Sequence, residues 1–356
     1  MDIGICAASH VGDIGYIVRA EELGYSHAWC ADSQMIWSDC YATLALAADK
    51  TSRINLGTGV AITGTRPPAV NAAGIATINA LAPGRTFFGV GAGNTAMRIM
   101  GQPPHRIAEF AWYLKEIKPL LRGEESFVHF DNQDIPIKHV MPDKGFVNFD
   151  DQIPMYVSGF GPRSLGLVGQ YGDGAVVGTP SGAGTMEYIW NMIKAGAREV
   201  GREINCDQFY TTSLAAMIVL DDGEAIDSDR VKHHCGAMVM ASVHYAYDQW
   251  RNFGHQPPGH MADIWDDYTA MLEAFPEERR HQRIHAGHNC WVLPEEEKFV
   301  TRPLLQRTCM IGTQDQLLER LQELSDAGLN QIMNLPSYDP RFEVLERIAK
   351  DIIPNV

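Results

Sequence analysis

Apolar segments of strand length alternate with amphipathic segments of helix length along this 356-residue chain, and few folds accommodate that rhythm. "DIGICAA" opens the series, and "VGDIGYIVRAEELGY" follows with apolar residues at helical spacing, stopping near Gly24. "SHAWCAD" leads to "YATLALAADKT", and "INLGTGVAIT" leads to "PPAVNAAGIATINALA", where Pro68 suits a first helical turn. "RTFFGVGAG" precedes the amphipathic "PHRIAEFAWYLKEIKPLLRG". From about 124 to 152 the alternation lapses, and "SFVHF" with "GFVNFDD" reads as a small excursion or hairpin. It resumes with "IPMYVSG" and "PRSLGLVGQY", then "GAVVGT" and a long helix near 183–202. "FYTTSLAAMIVLDD" is the seventh strand, "LNQIMNLPS" the eighth, and "RFEVLERIAKDIIP" a closing helix. Eight such strands predict a (β/α)8 TIM barrel rather than a doubly wound open sheet. A plain barrel needs about 250 residues, so roughly 100 are insertions. They are placed at about 124–152 and 221–305 within one domain spanning 1–356, and no internal repeat is seen.

The chain is 45% hydrophobic and 21% charged, enough apolar material for a large soluble core. Its net charge of −15 argues against nucleic acid and anionic membrane surfaces as main partners, and says nothing positive about the substrate, which is expected to be a small molecule. Seven widely spaced cysteines without a C-x-x-C pair point to a reducing compartment. "MDIGICAASH" lacks the features of a signal peptide, and no apolar run of about 18 residues occurs. The expected location is cytoplasmic.

A barrel of this type carries its active site at the C-terminal strand ends. Here those ends are Ser9–His10, Asp32–Ser33, Gly59–Thr65, Gly91–Asn94, Ser158–Gly161 and Gly178–Ser181. Glycine is costly in a strand and offers nothing to pack. Its recurrence at four of these six ends marks either sharp turns or places where something approaches the backbone closely.

Three stretches carry a resemblance: "INLGTGV…TRPPAVNAAGIATINALAPGRTFFGVGAGN", "IPMYVSGFGPRSLGLVGQYGDGAVVG" and "CMIGTQDQLLERLQELSDAGLNQIM". Together they resemble the luciferase-like superfamily of flavin and deazaflavin oxidoreductases over nearly the whole chain. The resemblance implies a ring across the barrel mouth and a phosphate on loop amides. Gly91, Ala92, Gly93 and Asn94 would then form one cradle. Ser158, Gly159, Phe160 and Gly161 would form a second, with Arg163 adding charge and Ser164 a hydroxyl. The opposing reading is two tight strand-to-helix turns without a ligand. The resemblance also implies a non-prolyl cis peptide beneath the ring, at Gly59–Val60 or Val60–Ala61. Asp32 would bind a ring edge or cap the next helix. A homodimer or larger assembly is implied too, supported by the small residues of the second and third helices.

The chain also departs from the pattern. F420-dependent sugar and alcohol dehydrogenases of this superfamily carry a histidine, a tryptophan and a glutamate around the deazaflavin. Matching the motifs keeps Trp37, placed with Ser33 toward substrate, but puts Ser33 in the histidine position and Asn94 in the glutamate position. Neither serine nor asparagine titrates near neutral pH. His10, after strand one, is one replacement. "RRHQRIHAGHNCW" offers His281, His285 and His288 at spacings of four and three, on one helical face. That face reads as a metal site, a solvated basic helix end, or part of a substrate pocket. No H-E-x-x-H occurs and the superfamily normally needs no metal, so no metal is expected. "IHAGHNCW" resembles an H-x-G-H segment of some members, which implies an active-site loop turning at Gly287 with His285 or His288 as the acid–base group. The long "HHCGAMVMASVHYAYDQW", with Met238, Met240, Tyr245, Tyr247 and Trp250, is either core or the wall of an apolar substrate site. The main functional reading is an FMN-dependent monooxygenase. The alternatives are an F420-dependent reductase or dehydrogenase and a non-enzymatic barrel homologue.

Overall fold

The computed structural model describes residues 1–356, the side chain of Phe130 excepted. The chain forms two compact units. The first comprises residues 1–96, 103–214 and 323–333, and the second 97–102, 215–322 and 334–356.

The first unit holds the predicted barrel, apart from the last residue of its seventh and of its eighth strand. Its strands are β1 (Asp2–Ala7), β2 (His27–Cys30), β3 (Asn55–Thr58), β4 (Thr86–Gly91), β5 (Met155–Ser158), β6 (Gly174–Val177), β7 (Tyr210–Ala215) and β8 (Gln331–Asn334). They run in the order β3-β2-β1-β8-β7-β6-β5-β4, and pairing of Leu56 with Thr86 closes β3 onto β4. The registers set Trp29 opposite Gly57 and Tyr156 opposite Gly174, so a large ring on one strand meets a bare backbone on the next. Trp29, Phe87, Tyr156 and Tyr210 fill the interior, with neighbouring ring centroids 4.3–5.8 Å apart. A Cβ on Gly57 would lie 2.3 Å from the Phe87 ring, and one on Gly174 2.5 Å from the Tyr156 ring. The Trp29 indole N–H is buried yet satisfied, donating to Gln331 Oε1 at 2.9 Å, which also accepts from Thr212 at 2.8 Å.

His27 joins this stack between Phe87 and Tyr210. Burial pushes its imidazole down to about 4, against the opposing pull of the Asp2 carboxylate. An unfolded histidine binds its proton near pH 6.5. Between about pH 6.5 and 4 the unfolded chain therefore holds the extra proton, and the stabilising contribution, complete above that window, is lost as pH falls through it. Denaturant unfolding from about pH 7 to 4.5 should show wild type losing about 2–3 kcal/mol more than His27→Gln. Equal losses in the two proteins would reject this account.

The helix Pro68–Leu81 starts as predicted, with Pro68 in its first turn. The excursion after β4 contains the expected hairpin, but its second strand is not "GFVNFDD". Ser126–Phe130 pairs antiparallel with Gln133–Ile137 around Asp131 and Asn132, both at positive φ. The later segment is held by other means: Asn79 Nδ2 donates to the carbonyls of Asn148 and Asp151. The seventh predicted strand also divides. Tyr210–Ala215 belongs to the barrel, whereas Met217–Val219 pairs in parallel with Met310–Gly312 in the second unit.

That second unit is built on the 25-residue helix Asp229–Phe253, capped by the Ser228 hydroxyl at its start and by Gly254, at φ 68°, at its end. Of its sulfur- and aromatic-rich stripe, Met240 and Tyr247 are buried, Met238 and Trp250 half-buried, and Tyr245 exposed. Among the described residues, no helix is long and apolar enough to cross a membrane.

Candidate active site

The parallel barrel brings the C-terminal strand ends of the first unit to one side. Asp32, just beyond β2, is buried and fully engaged. It accepts from Arg66 Nη1 at 2.6 Å, from Gln34 Nε2 at 2.6 Å and from the Ile62 amide at 3.1 Å. It does not cap the next helix; Asp39 does, accepting from the amides of Tyr41 and Ala42. Arg66 also reaches Asp39 at 2.6 Å, so one guanidinium ties both carboxylates to the loop after β3. Sequence reading missed Arg66 because its partners lie 27 and 34 residues away.

The cis peptide stands at Gly59–Val60, the first of the two bonds that the resemblance indicated. Beyond it, Ala61 and Ile62 pair with Val90 and Gly91 of β4. A Cβ on Gly91 would lie 2.8 Å from Val60 Cγ2, so that glycine makes room for a neighbouring protein side chain. Gly93 differs: its φ of +83° is one that side chains rarely adopt, and it turns the chain between Ala92 and Asn94, where the short helix Asn94–Ile99 begins.

The loop after β5 is more self-contained than expected. The Gly159 amide donates to Val176, and the Phe160 and Gly161 amides both donate to Ser164 Oγ at 3.1 Å. Ser164 is thus a reciprocal cap and its hydroxyl faces the loop itself. Gly159 is required for packing, since a Cβ there would lie 2.9 Å from Val168 Cγ2. Gly161, by contrast, borders open space, with nothing within 4 Å of an added Cβ. It opens the helix Pro162–Tyr171, whose first-turn amides at Arg163 and Ser164 have no acceptor four residues back. Arg163 and Phe160 are exposed beside it. On the remaining ends, Ser9 Oγ donates to the Ala31 carbonyl and His10 is exposed. The Ser33 carbonyl accepts from the Ile36 and Trp37 amides, forming the turn that carries half-buried Trp37.

His285 and His288 lie in the second unit, buried together with a residue that the sequence did not single out, His244. The three do not form one helical face. The helix Arg280–Ile284 ends before His285, and Gly287, at φ +76°, turns the chain as expected of it. His281 diverges and packs near Gly101. His244, from the middle of Asp229–Phe253, takes its place, and no spacing signal links residues 41 positions apart. His285 Nε2 pairs with Asp248 Oδ2 at 2.9 Å, and His244 Nε2 with Glu296 Oε1 at 3.1 Å. Arg98 lies 3.6 Å from Asp248, and Arg283 3.5 Å from Glu296. Burial holds the imidazole of His244 below its ordinary value and that of His288 well below, with the neighbouring histidines pushing both further down.

The sequence model of the luciferase-like monooxygenase family matches residues 12–331. The chain belongs to this family. Among relatives of this luciferase-like chain is 5,10-methylenetetrahydromethanopterin reductase of Archaeoglobus fulgidus, 27% identical over 347 residues, covering 96% of this chain and 94% of that one. Among solved structures, the coenzyme F420 dependent tetrahydromethanopterin reductase of Methanopyrus kandleri superposes with a TM-score of 0.71 at 20% identity, covering 99% and 98% of the two chains. The oxygenating constituent of 3,6-diketocamphane monooxygenase of Pseudomonas putida, in complex with FMN, gives a TM-score of 0.65 at 20% identity over 100% and 98%. The protein is therefore an oxidoreductase on a luciferase-like TIM barrel.

Proposed function

We propose that the barrel binds coenzyme F420 and exchanges hydride between it and a small organic substrate, as a reductase or dehydrogenase. The observation that carries this reading is the near full-length likeness to a methylenetetrahydromethanopterin reductase, whose relative of solved structure is F420 dependent. FMN-dependent monooxygenation, the main reading of the sequence alone, is supported by a likeness of fold. The residues fit a phosphate-bearing cofactor. Gly161 leaves open space at the first turn of a ten-residue helix, Arg163 adds a cation, and Gly93 turns the adjoining loop. Bound F420 supplies a two-electron hydride carrier. The chain's own part is to hold the phosphate at Arg163 and the first-turn amides, and to fix the strand ends through Asp32 and Arg66. The side chains of Ser33 and Asn94 are able to donate a hydrogen bond but do not ionise near neutral pH, which favours a substrate that needs no strong acid from those positions.

Absorbance titration of the purified chain with F420 and with FMN separately tests this. F420 should bind with a Kd in the micromolar range or below, and FMN at least about tenfold more weakly. Tight FMN binding without F420 binding would restore the monooxygenase reading. Binding of neither would leave a non-enzymatic barrel.

A further inference from the structure

The hydride-transfer proposal does not use the imidazole cluster of the second unit. We propose that His244, His285 and His288 bind one divalent transition-metal ion, for which zinc is the best match. One ring nitrogen from each lies within 4.8 Å of those of the other two. Tetrahedral zinc, with Zn–N bonds of about 2.0–2.1 Å, would draw them to roughly 3.3 Å, a modest swing of three rings. His244 and His285 are only 2% and 4% exposed. Their Nδ1 atoms are buried and have no hydrogen-bond partner among the described residues. Buried polar atoms are ordinarily partnered, and two orphans in one imidazole cluster call for an explanation.

The opposite nitrogens are arranged as a metal site requires. Nε2 of His285 faces Asp248 and Nε2 of His244 faces Glu296. A carboxylate on the far nitrogen fixes the N–H there, leaves Nδ1 as the lone-pair donor and raises its basicity. Neutral imidazole is also the form that binds metal. Arg98 and Arg283 neutralise the two carboxylates, so the ion brings uncompensated charge. The frame is firm: His244 lies mid-helix, and the 285–291 turn is closed by His288 N to His285 O at 3.1 Å and by two amides on the Gly287 carbonyl at 2.9 Å. A set of three nitrogens without a carboxylate ligand suits zinc, nickel or copper rather than magnesium or calcium.

The test uses the full chain, stripped with a chelator and dialysed against zinc alone. About one zinc per chain is expected at micromolar free metal. His244→Gln and His285→Gln should weaken binding at least about 100-fold and Asp248→Asn about 10–100-fold, whereas His281→Ala should bind as wild type does. In case the buried variants fail to fold, cobalt-loaded wild type supplies a separate readout. Its paramagnetically shifted NMR spectrum should show imidazole signals from three histidines. Less than about 0.1 zinc per wild-type chain would overturn the proposal. So would folded His244→Gln binding zinc as wild type does, or shifted signals from fewer than three histidines.

Discussion

Asp32→Ala is expected to cost about 3–5 kcal/mol of stability, the usual penalty for breaking a buried ion pair from one side. The Asp32 side chain is 2% exposed and that of Arg66 15%, so solvent screens this pair little. Removing the carboxylate leaves the Arg66 guanidinium with exposed Asp39 alone and strips the Ile62 amide of its acceptor. The damage falls on the segment after the cis peptide, and cofactor affinity should fall with stability. Equilibrium denaturation of Asp32→Ala, Arg66→Met and the double variant measures it. The double variant should recover part of the loss, because it leaves no unpaired buried charge. A loss below about 1 kcal/mol in Asp32→Ala would show that the pair is not what holds this end of the barrel.

Gly93→Val should reduce F420 affinity at least about 100-fold, equivalent to about 2.7 kcal/mol. A β-branched residue is strained at φ +83°, so the loop between β4 and Asn94 must change course. Asn tolerates positive φ, so Gly93→Asn keeps the turn while adding a side chain. If Gly93→Asn binds F420 and Gly93→Val does not, the glycine serves backbone conformation. If both fail, it serves close approach. Gly93→Val binding both F420 and FMN like the parent would remove this loop from the site.

The strands and most helices were legible because an apolar run must be buried whatever surrounds it. Eight such runs in alternation leave little choice but a barrel. The glycines were harder. "GVGAGN" read as a ligand cradle, yet Gly91 faces Val60, and Gly57 and Gly174 make room for Phe87 and Tyr156. A missing side chain signals that something comes close, without saying whether it is ligand or protein. Ser164 was read as a ligand hydroxyl and closes its own turn instead. The pairing of Asp32 with Arg66 and the convergence of His244 on His285 depend on tertiary placement, which has no local period to betray it. The second hairpin strand was misassigned for the opposite reason: "GFVNFDD" alternates like a strand, but the Asp131–Asn132 turn commits the earlier segment first.

The short ladder between Met217–Val219 and Met310–Gly312 has an evolutionary consequence. Residues 220–309 leave one strand and return on its immediate neighbour, so this excursion starts and finishes at one doorway. Doubling the length of such a loop adds only about 0.6 kcal/mol of closure entropy. Closure entropy therefore sets little limit on how far descendants of this sequence can lengthen the cassette, provided the two strands that frame it keep their register and the helix Asp229–Phe253 keeps its buried face.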